Sequence, residues 1–203
     1  MKSFSEKEDA VSPVIGVMLL IVITVIIAAV VSGFATGFIS TNSGAPTAFF
    51  DVKISSNTGS SGNEYVMTIE HLGGSVIDTS ELRIVTSYSY DGLTDAGTGK
   101  WVLNRFQKTN TVTVASALKN NIRYPYLADV GIGNPGDAKV NFGNFDFKSG
   151  QIMTTGTSVG TTQVLGFDVT AAANGFKAGS VVDVKIIHTP SNIALFDKEV
   201  RVA

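Results

Sequence analysis

The clearest pattern in the chain is a long apolar stretch close to its start. Residues 10–50 contain no Asp, Glu, Lys or Arg, and the run from Val14 to Ile39 consists of Val, Ile, Leu, Met, Ala and Phe with a few Gly, Ser and Thr. Apolar residues occur on every side of a helix built from this run, so the helix has no polar face. A helix of these 26 residues would be roughly 39 Å long, which exceeds the ~30 Å hydrocarbon thickness of a bilayer. We therefore expect a helix that lipid or other protein must cover.

Residue types at the two ends of this stretch indicate its limits. Ser12 can cap a helix through its hydroxyl, and Pro13 suits the first helical position because no N–H is needed there. The apolar segment is expected to cover residues 11–39, with the helix beginning at Pro13. Residues 40–47 are small, polar and turn-forming, which is typical of a linker.

A different pattern begins at residue 48. Short segments of strand character alternate with turn clusters rich in Gly, Asn, Asp and Pro, among them a turn predicted at Asp91-Gly92. The predicted strands cover residues 48–55, 65–72, 81–90, 101–106, 109–115, 138–147, 164–170, 181–188 and 194–202. The last two form a hairpin, in which Val182, Val184, Ile186 and His188 share one face. Many short strands without a strong helical period predict an antiparallel β-sandwich or barrel over residues 48–203. The fold class is α+β, with the hydrophobic helix preceding the β-domain.

Composition narrows the possible chemistry. The formal net charge is −2, charged residues make up 16% of the chain, and Lys and Arg are scattered, so the sequence shows no footprint for a nucleic-acid backbone. Cysteine is absent, which excludes disulfides, thiolate nucleophiles and the usual structural zinc sites. The two histidines, His71 and His188, are far apart in sequence. We expect no cofactor, no metal and no enzymatic activity.

Two enzyme motifs occur as strings. Gly156-Thr157-Ser158-Val159-Gly160 matches G-x-S-x-G, and Asp168 and His188 follow in the order found in hydrolases. That motif requires a strand, a sharp turn and a helix, whereas we expect a loop followed by a strand. Residues 131–136 match G-x-G-x-x-G, but Pro135 opposes the helix that would hold a pyrophosphate. We predict a turn there. A metal held by His71 and His188 is a further alternative, as is calcium at the oxygen-rich loops 91–95 and 134–137.

The residues before the apolar run point to a family. Asp9-Ala10 followed by Val11-Ser12-Pro13-Val14-Ile15-Gly16 resembles the class III signal of archaeal type IV pilins. The segments 70–74, 179–184 and 188–191 are similar to segments of that family's β-domain. An ordinary secretory signal differs from this start, because its apolar core is only about 7–15 residues long and is followed by the cleavage site.

This resemblance implies a route of processing. Prepilin peptidase would cut between Ala10 and Val11, removing the leader 1–10 and retaining the helix. The precursor would be a single-pass membrane protein, and a secretion ATPase with a membrane platform would assemble it into an extracellular adhesive filament. Bacterial relatives usually have a Glu at the fifth mature position, where this chain has Ile15; the archaeal pilins it resembles also lack that Glu.

Self-association into a helical homopolymer would bury the helix in the filament core. Gly33 and Gly37 form a small-xxx-small motif that permits close helix contacts; the alternative is that these glycines only loosen the end of the helix. The expected core-packing residues are Val14, Ile15, Val17, Leu19, Leu20, Ile23, Ile26, Ile27, Val30, Gly33, Phe34, Gly37 and Phe38.

Two other functions fit parts of the sequence. A single-pass surface protein would use the same helix as a permanent anchor and its β-domain to bind a ligand or wall component. A secreted hydrolase would use Ser158 as its nucleophile.

Overall fold

The computed structural model describes residues 13–38, 46–59, 62–95, 97 and 101–203. The chain divides into two compact units, residues 1–42 and residues 43–203. The predicted leader 1–10, and residues 40–45 of the predicted linker, lie outside the described residues. In its described residues, the first unit contains one helix, α1, which covers Pro13–Phe38.

The second unit consists of β-strands and one short α-helix. Its strands are β1 Ala48–Gly59, β2 Gly62–Gly74, β3 Ile77–Asp78, β4 Leu82–Asp95, β5 Trp101–Val112, β6 Tyr126–Leu127, β7 Asp146–Phe147, β8 Ile152–Thr154, β9 Val181–His188 and β10 Ile193–Arg201. Helix α2 covers Ser158–Leu165. Turns of 3-10 helix lie at Thr79–Glu81, Ala138–Val140 and Ala172–Asn174.

Within the described residues, the strands form two four-stranded sheets and one small pair. The first sheet has the order β1-β2-β8-β6, the second has the order β10-β9-β4-β5, and β3 pairs with β7. Neighbouring strands in each are antiparallel. A parallel bridge between Ile54 and Val202 joins β1 to the residue that follows β10. The Ser56 N–H donates to the Ala203 carbonyl at 2.7 Å and the Ala203 N–H donates to the Ile54 carbonyl at 2.9 Å. The α+β prediction with an antiparallel sandwich is confirmed.

Both sheets contribute alternate residues to one core. Ile54, Met67 and Ile69 of the first sheet are buried, as are Ile84 and Ile186 of the second. On β9 the buried residues Val182, Val184, Ile186 and His188 alternate with the exposed Asp183 and Lys185. This is the period of two expected for a strand with one face in a core, and it confirms the face predicted from the sequence.

Two predictions about β4 and β5 are wrong. Residues 101–106 and 109–115 are parts of one strand, β5, which ends at Val112. The predicted turn at Asp91-Gly92 lies inside β4, where Asp91 pairs with Arg105 and Gly92 pairs with Asn104. The Phe106 ring covers Gly92, and a Cβ there would lie 2.9 Å from that ring. Glycine therefore provides room for an aromatic side chain instead of a turn.

The strands predicted at 138–147 and 164–170 are also wrong. The first segment contains a 3-10 turn at Ala138–Val140 and then turns, including Gly143 with φ +90°, before the two-residue strand β7. The second segment overlaps α2, which Thr157 caps at its N-terminus by accepting a hydrogen bond from the Gly160 N–H. Gly166 ends α2 in the left-handed region at φ 78°. Both end signals are typical of helices.

The core of the second unit is built only from residues between Ala48 and Val202. We therefore predict that a fragment covering residues 46–203 folds without α1. It should be soluble and monomeric, with a single cooperative unfolding transition in urea, because a unit of this size buries about 70% of its unfolded surface. Size-exclusion chromatography and circular dichroism would check this. A fragment without a cooperative transition would contradict it.

His71 provides a pH-dependent contribution to this core. Its ring is fully buried against the rings of Phe50 and Phe147, with centroid separations of 5.2 and 5.3 Å, and those two rings stack on each other at 5.9 Å. The backbone groups of Lys148 and Ser75 approach the ring, but neither ring nitrogen makes a hydrogen bond of normal geometry. Burial lowers the pKa of His71, and those backbone groups oppose that effect only in part. The neutral imidazole is thus the form that fits the core.

The free energy of unfolding should therefore fall as the solution becomes acidic. The unfolded chain takes up a proton near the ordinary His pKa of about 6.5, whereas the folded chain does so only at lower pH. The contribution is present above that value and is lost as pH falls through the interval between the two pKa values. In fragment 46–203, the free energy of unfolding should decrease less between about pH 7.5 and about pH 5 after the substitution His71→Phe. Urea unfolding at each pH measures it. Equal slopes in both proteins would contradict the assignment.

Candidate assembly surface

The surface of α1 is apolar on all sides, and the side chains from Pro13 to Ser32 are exposed. Exposed fractions of its large apolar side chains range from 46% at Ile23 to 66% at Val14. The part from Pro13 to Ser32 is long and apolar enough to cross a membrane. Exposing such a side chain to water costs roughly 1.5–3 kcal/mol, so the whole surface costs tens of kcal/mol unless something covers it.

The polar groups of α1 do not oppose burial. No residue between Pro13 and Phe38 is ionisable. The Thr24 hydroxyl donates a hydrogen bond of 2.8 Å to the Ile21 carbonyl of the preceding turn. A hydroxyl satisfied within its own helix can enter an apolar environment without leaving an unpaired donor. Lipid and a second apolar helix are therefore both suitable contacts for α1.

The residues predicted to form the site lie as follows. The processing residues Asp9, Ala10 and Val11 are outside the described residues, as is Ser12. Pro13 is the first residue of α1. The exposed core-packing candidates are Val14, Ile15, Val17, Leu19, Leu20, Ile23, Ile26, Ile27 and Val30. Gly33, Phe34, Gly37 and Phe38 belong to the last turns of α1.

A comparison with known families matches this same part of the chain. Residues 9–49 match the family described as archaeal Type IV pilin, N-terminal. This part of the chain is therefore similar to the N-terminal segment of archaeal type IV pilins. The match spans the predicted processing site, α1 and the first two residues of β1. No curated protein and no solved structure matches the chain.

The pilin family is structural and not enzymatic, and the hydrolase motif of this chain can be compared with that finding. Contrary to the loop and strand predicted there, Gly156 at φ 65° and Thr157 form the turn after β8, and Ser158 is the first residue of α2. Strand, turn and helix are thus present locally. The Ser158 hydroxyl, however, accepts a hydrogen bond of 2.8 Å from the Tyr65 N–H of β2. It fixes α2 to the first sheet.

The two other members of the supposed triad have partners elsewhere. The Asp168 carboxylate accepts hydrogen bonds from the hydroxyl and the N–H of Thr170, and these lower the pKa of Asp168. The His188 ring lies 2.8 Å from the Ser191 hydroxyl and 3.2 Å from a carboxylate oxygen of Glu81. Ser158, Asp168 and His188 therefore do not form the hydrogen-bonded series that activates a serine nucleophile.

The remaining motifs are structural as well. Residues 131–136 form turns, followed only by the 3-10 turn at Ala138–Val140, so the predicted turn is confirmed. In the described part of the chain, no group of three or more potential metal ligands is present. His71 packs against the rings of Phe50 and Phe147, whereas His188 is hydrogen-bonded to Ser191 and Glu81.

Sequence reasoning missed the threonine cluster that holds α2 against β2. The Thr161 hydroxyl is fully buried and donates to the Tyr65 carbonyl at 2.7 Å. The Thr155 hydroxyl lies 2.7 Å from that of Thr161 and accepts from the Met67 N–H at 2.9 Å. The signal that could have found α2 is the pair of helix ends, Thr157 and Gly166. The β-branched residues between them favoured a strand.

Thr161→Val tests this cluster, because it keeps the shape of the side chain and removes the hydroxyl. We expect the free energy of unfolding of fragment 46–203 to fall by about 1–3 kcal/mol, since buried polar partners lose a hydrogen bond. Thr111→Val on the exposed side of β5 is the matched control and should change it by less than about 0.5 kcal/mol. Urea unfolding measures both. Equal effects would show that the cluster does not stabilise the fold.

Proposed function

We propose that this chain is the structural subunit of an archaeal type IV pilus, a surface filament for adhesion or related surface functions. Prepilin peptidase removes residues 1–10 and leaves Val11 as the first mature residue. The single-pass precursor is held in the cell membrane by α1. On assembly α1 passes into the core of the extracellular filament, and residues 48–203 form the coat of the filament. The observation that carries this proposal is the uncovered apolar surface of α1 within the segment that matches the pilin family.

The energetics of α1 suggest why assembly needs machinery. Both lipid and a bundle of like helices cover its apolar side chains, so transfer between them gains little from the hydrophobic effect. An assembly ATPase and a membrane platform would supply the work and the direction. Close packing then decides the stability of the bundle, and small residues permit it. Gly33 and Gly37 are suited to that role.

The first test is made on filaments sheared from cells that express the chain. Mass spectrometry should identify a mature subunit that begins at Val11, and electron microscopy should show filaments that disappear on deletion and return on complementation. A chain that retains Met1, or a monomer that remains in the detergent-soluble membrane fraction beside filaments made by other pilins, would contradict the proposal. The latter result would favour the permanently anchored surface protein.

A second test concerns packing in the filament core. Gly33→Leu combined with Gly37→Leu should leave membrane insertion and cleavage intact, because the helix becomes more apolar. Filament number per cell should fall several-fold, since bulky side chains prevent close approach of neighbouring helices. Electron microscopy counts filaments, and immunoblotting of membranes confirms the subunit level. Val31→Leu, at an exposed position of α1 outside the predicted core-packing residues, is the matched control. Unchanged filaments in the double variant would mean that the two glycines do not pack.

A further inference from the structure

The distal half of the β4-β5 hairpin extends beyond its sheet. Strand β9 pairs with β4 only from Leu82 to Tyr88, whereas β5 pairs with β4 as far as Asp95 and Trp101. Residues 89–95 and 101–107 therefore form a two-stranded ribbon, which we call the arm. A two-stranded ribbon of this kind has little core of its own.

The outer face of the arm carries large apolar side chains. Leu93 pairs directly with Leu103, and Trp101 lies on the same face two residues before Leu103. Their exposed fractions are 63%, 65% and 65% in the order Leu93, Trp101 and Leu103. Arg105 lies on the same face of β5 and pairs directly with Asp91 of β4. Large exposed aromatic and aliphatic groups beside an Arg are typical of the centre of a protein interface.

A second exposed apolar group lies on the outer face of the other sheet. It consists of Phe49 on β1, Leu72 on β2 and Ile152 on β8, which are neighbouring strands. We call these three residues the Phe49 patch. Glu70 borders it, because Glu70 pairs with Ile152 on one side and with Asp51 on the other. Lys53 contacts Asp51 at 2.7 Å, so an acid and a base also flank this patch.

The two surfaces lie at opposite ends of the second unit. The Ile54–Val202 bridge is parallel, and β10, β9 and β4 are successively antiparallel, so β4 runs in the same sense as β1. Tyr88 pairs with Val182, and Val182 pairs with Val200. Val200 precedes Val202 of the bridge by two residues, so Tyr88 also lies two residues before the level of the bridge. Leu93 thus lies three residues beyond the bridge and Phe49 five residues before it. At about 3.3 Å per residue, the two surfaces are roughly 26 Å apart along the strands.

From this arrangement we infer that the arm of one subunit docks on the Phe49 patch of the next. The apolar groups cover each other, Arg105 faces Glu70, and Asp91 faces Lys53. Because the two surfaces are different and lie at opposite ends of the unit, the contact is head-to-tail and repeats without closing, as a helical filament requires. A second copy of this chain is the occupant that provides both surfaces. The inference rests on the proposed function and adds a contact in the coat to the contacts in the helical core.

Cross-linking tests the contact directly, because the full chain has no cysteine of its own. Leu103→Cys and Leu72→Cys are introduced into one chain, and sheared filaments are oxidised and separated without reductant. We expect a ladder of dimers, trimers and larger species. Leu103→Cys alone, and Leu103→Cys with Val130→Cys on another exposed loop, are the controls and should give no ladder. Filaments of normal appearance in which the Leu72 and Leu103 pair gives no ladder would overturn the inference.

Charge reversal provides a second measurement on intact filaments. Arg105→Glu should lower the temperature at which filaments dissociate, because two acids then face each other, and Glu70→Arg in the same chain should restore it. A double variant no more stable than Arg105→Glu would overturn the pairing of these surfaces. Trp101 is the only Trp in the chain, so its quenching by acrylamide should be several-fold weaker in filaments than in detergent-solubilised subunits. Equal quenching would also overturn it.

Failure of this inference can be distinguished from failure of the proposed function. If the wild-type chain is absent from filaments, the proposed function is wrong. If wild-type filaments form with Val11 as the first residue, but Trp101 is not protected in them and filaments of the Leu72→Cys and Leu103→Cys variant give no ladder, only the docking of the arm on the Phe49 patch is wrong.

Discussion

The structure depends on the incompatibility between α1 and water. Each large side chain from Val14 to Val31 is exposed, and none of these residues is ionisable. The core described for the second unit consists of residues between Ala48 and Val202. The helix surface suits an apolar environment, and the same residues are similar to the N-terminal segment of archaeal type IV pilins.

The second unit meets a different requirement, because it must be stable while facing water. Its two sheets enclose one core, and the residues that follow β10 pair with β1. The first and last strands of the unit are thereby joined. Helix α2 is held to the sheets by hydrogen bonds. The buried hydroxyl of Thr161 contacts β2, and the Asn110 amide of β5 donates to the carbonyls of Gln163 and Val164 near the end of α2. Stability without disulfides comes from this packing and from hydrogen bonds between distant segments.

Local sequence patterns predicted those parts of the fold that have strong periodicity. The apolar run predicted α1, and the alternation around Val184 predicted β9 and the terminal hairpin. Patterns failed where tertiary contacts decide the conformation. Gly92 was interpreted as a turn because glycine tolerates many conformations, but the Phe106 ring needs its space within a strand. The β-branched residues of α2 favoured a strand, and the capping residues at both ends determined a helix instead.

The candidate site was predictable from sequence to a similar degree. Composition alone identifies α1 as the surface that must be covered, because no arrangement of its residues gives a polar face. The arm was not predictable, since it depends on where β9 stops pairing with β4. The motif around Ser158 suggested catalysis, but the hydrogen bond from the Tyr65 N–H shows that this serine has a structural role.

The lack of ionisable groups in α1 has an environmental consequence. A bundle of such helices contains no side-chain charge that protons can add to or dissolved ions can screen. Strong acid or brine would then act on the coat alone, through groups such as His71 and the exposed pairs Lys53–Asp51 and Lys185–Asp197. The outer layer of such a fibre would loosen or unfold before its axis came apart, and habitat chemistry would select on the coat sequence far more than on the axis.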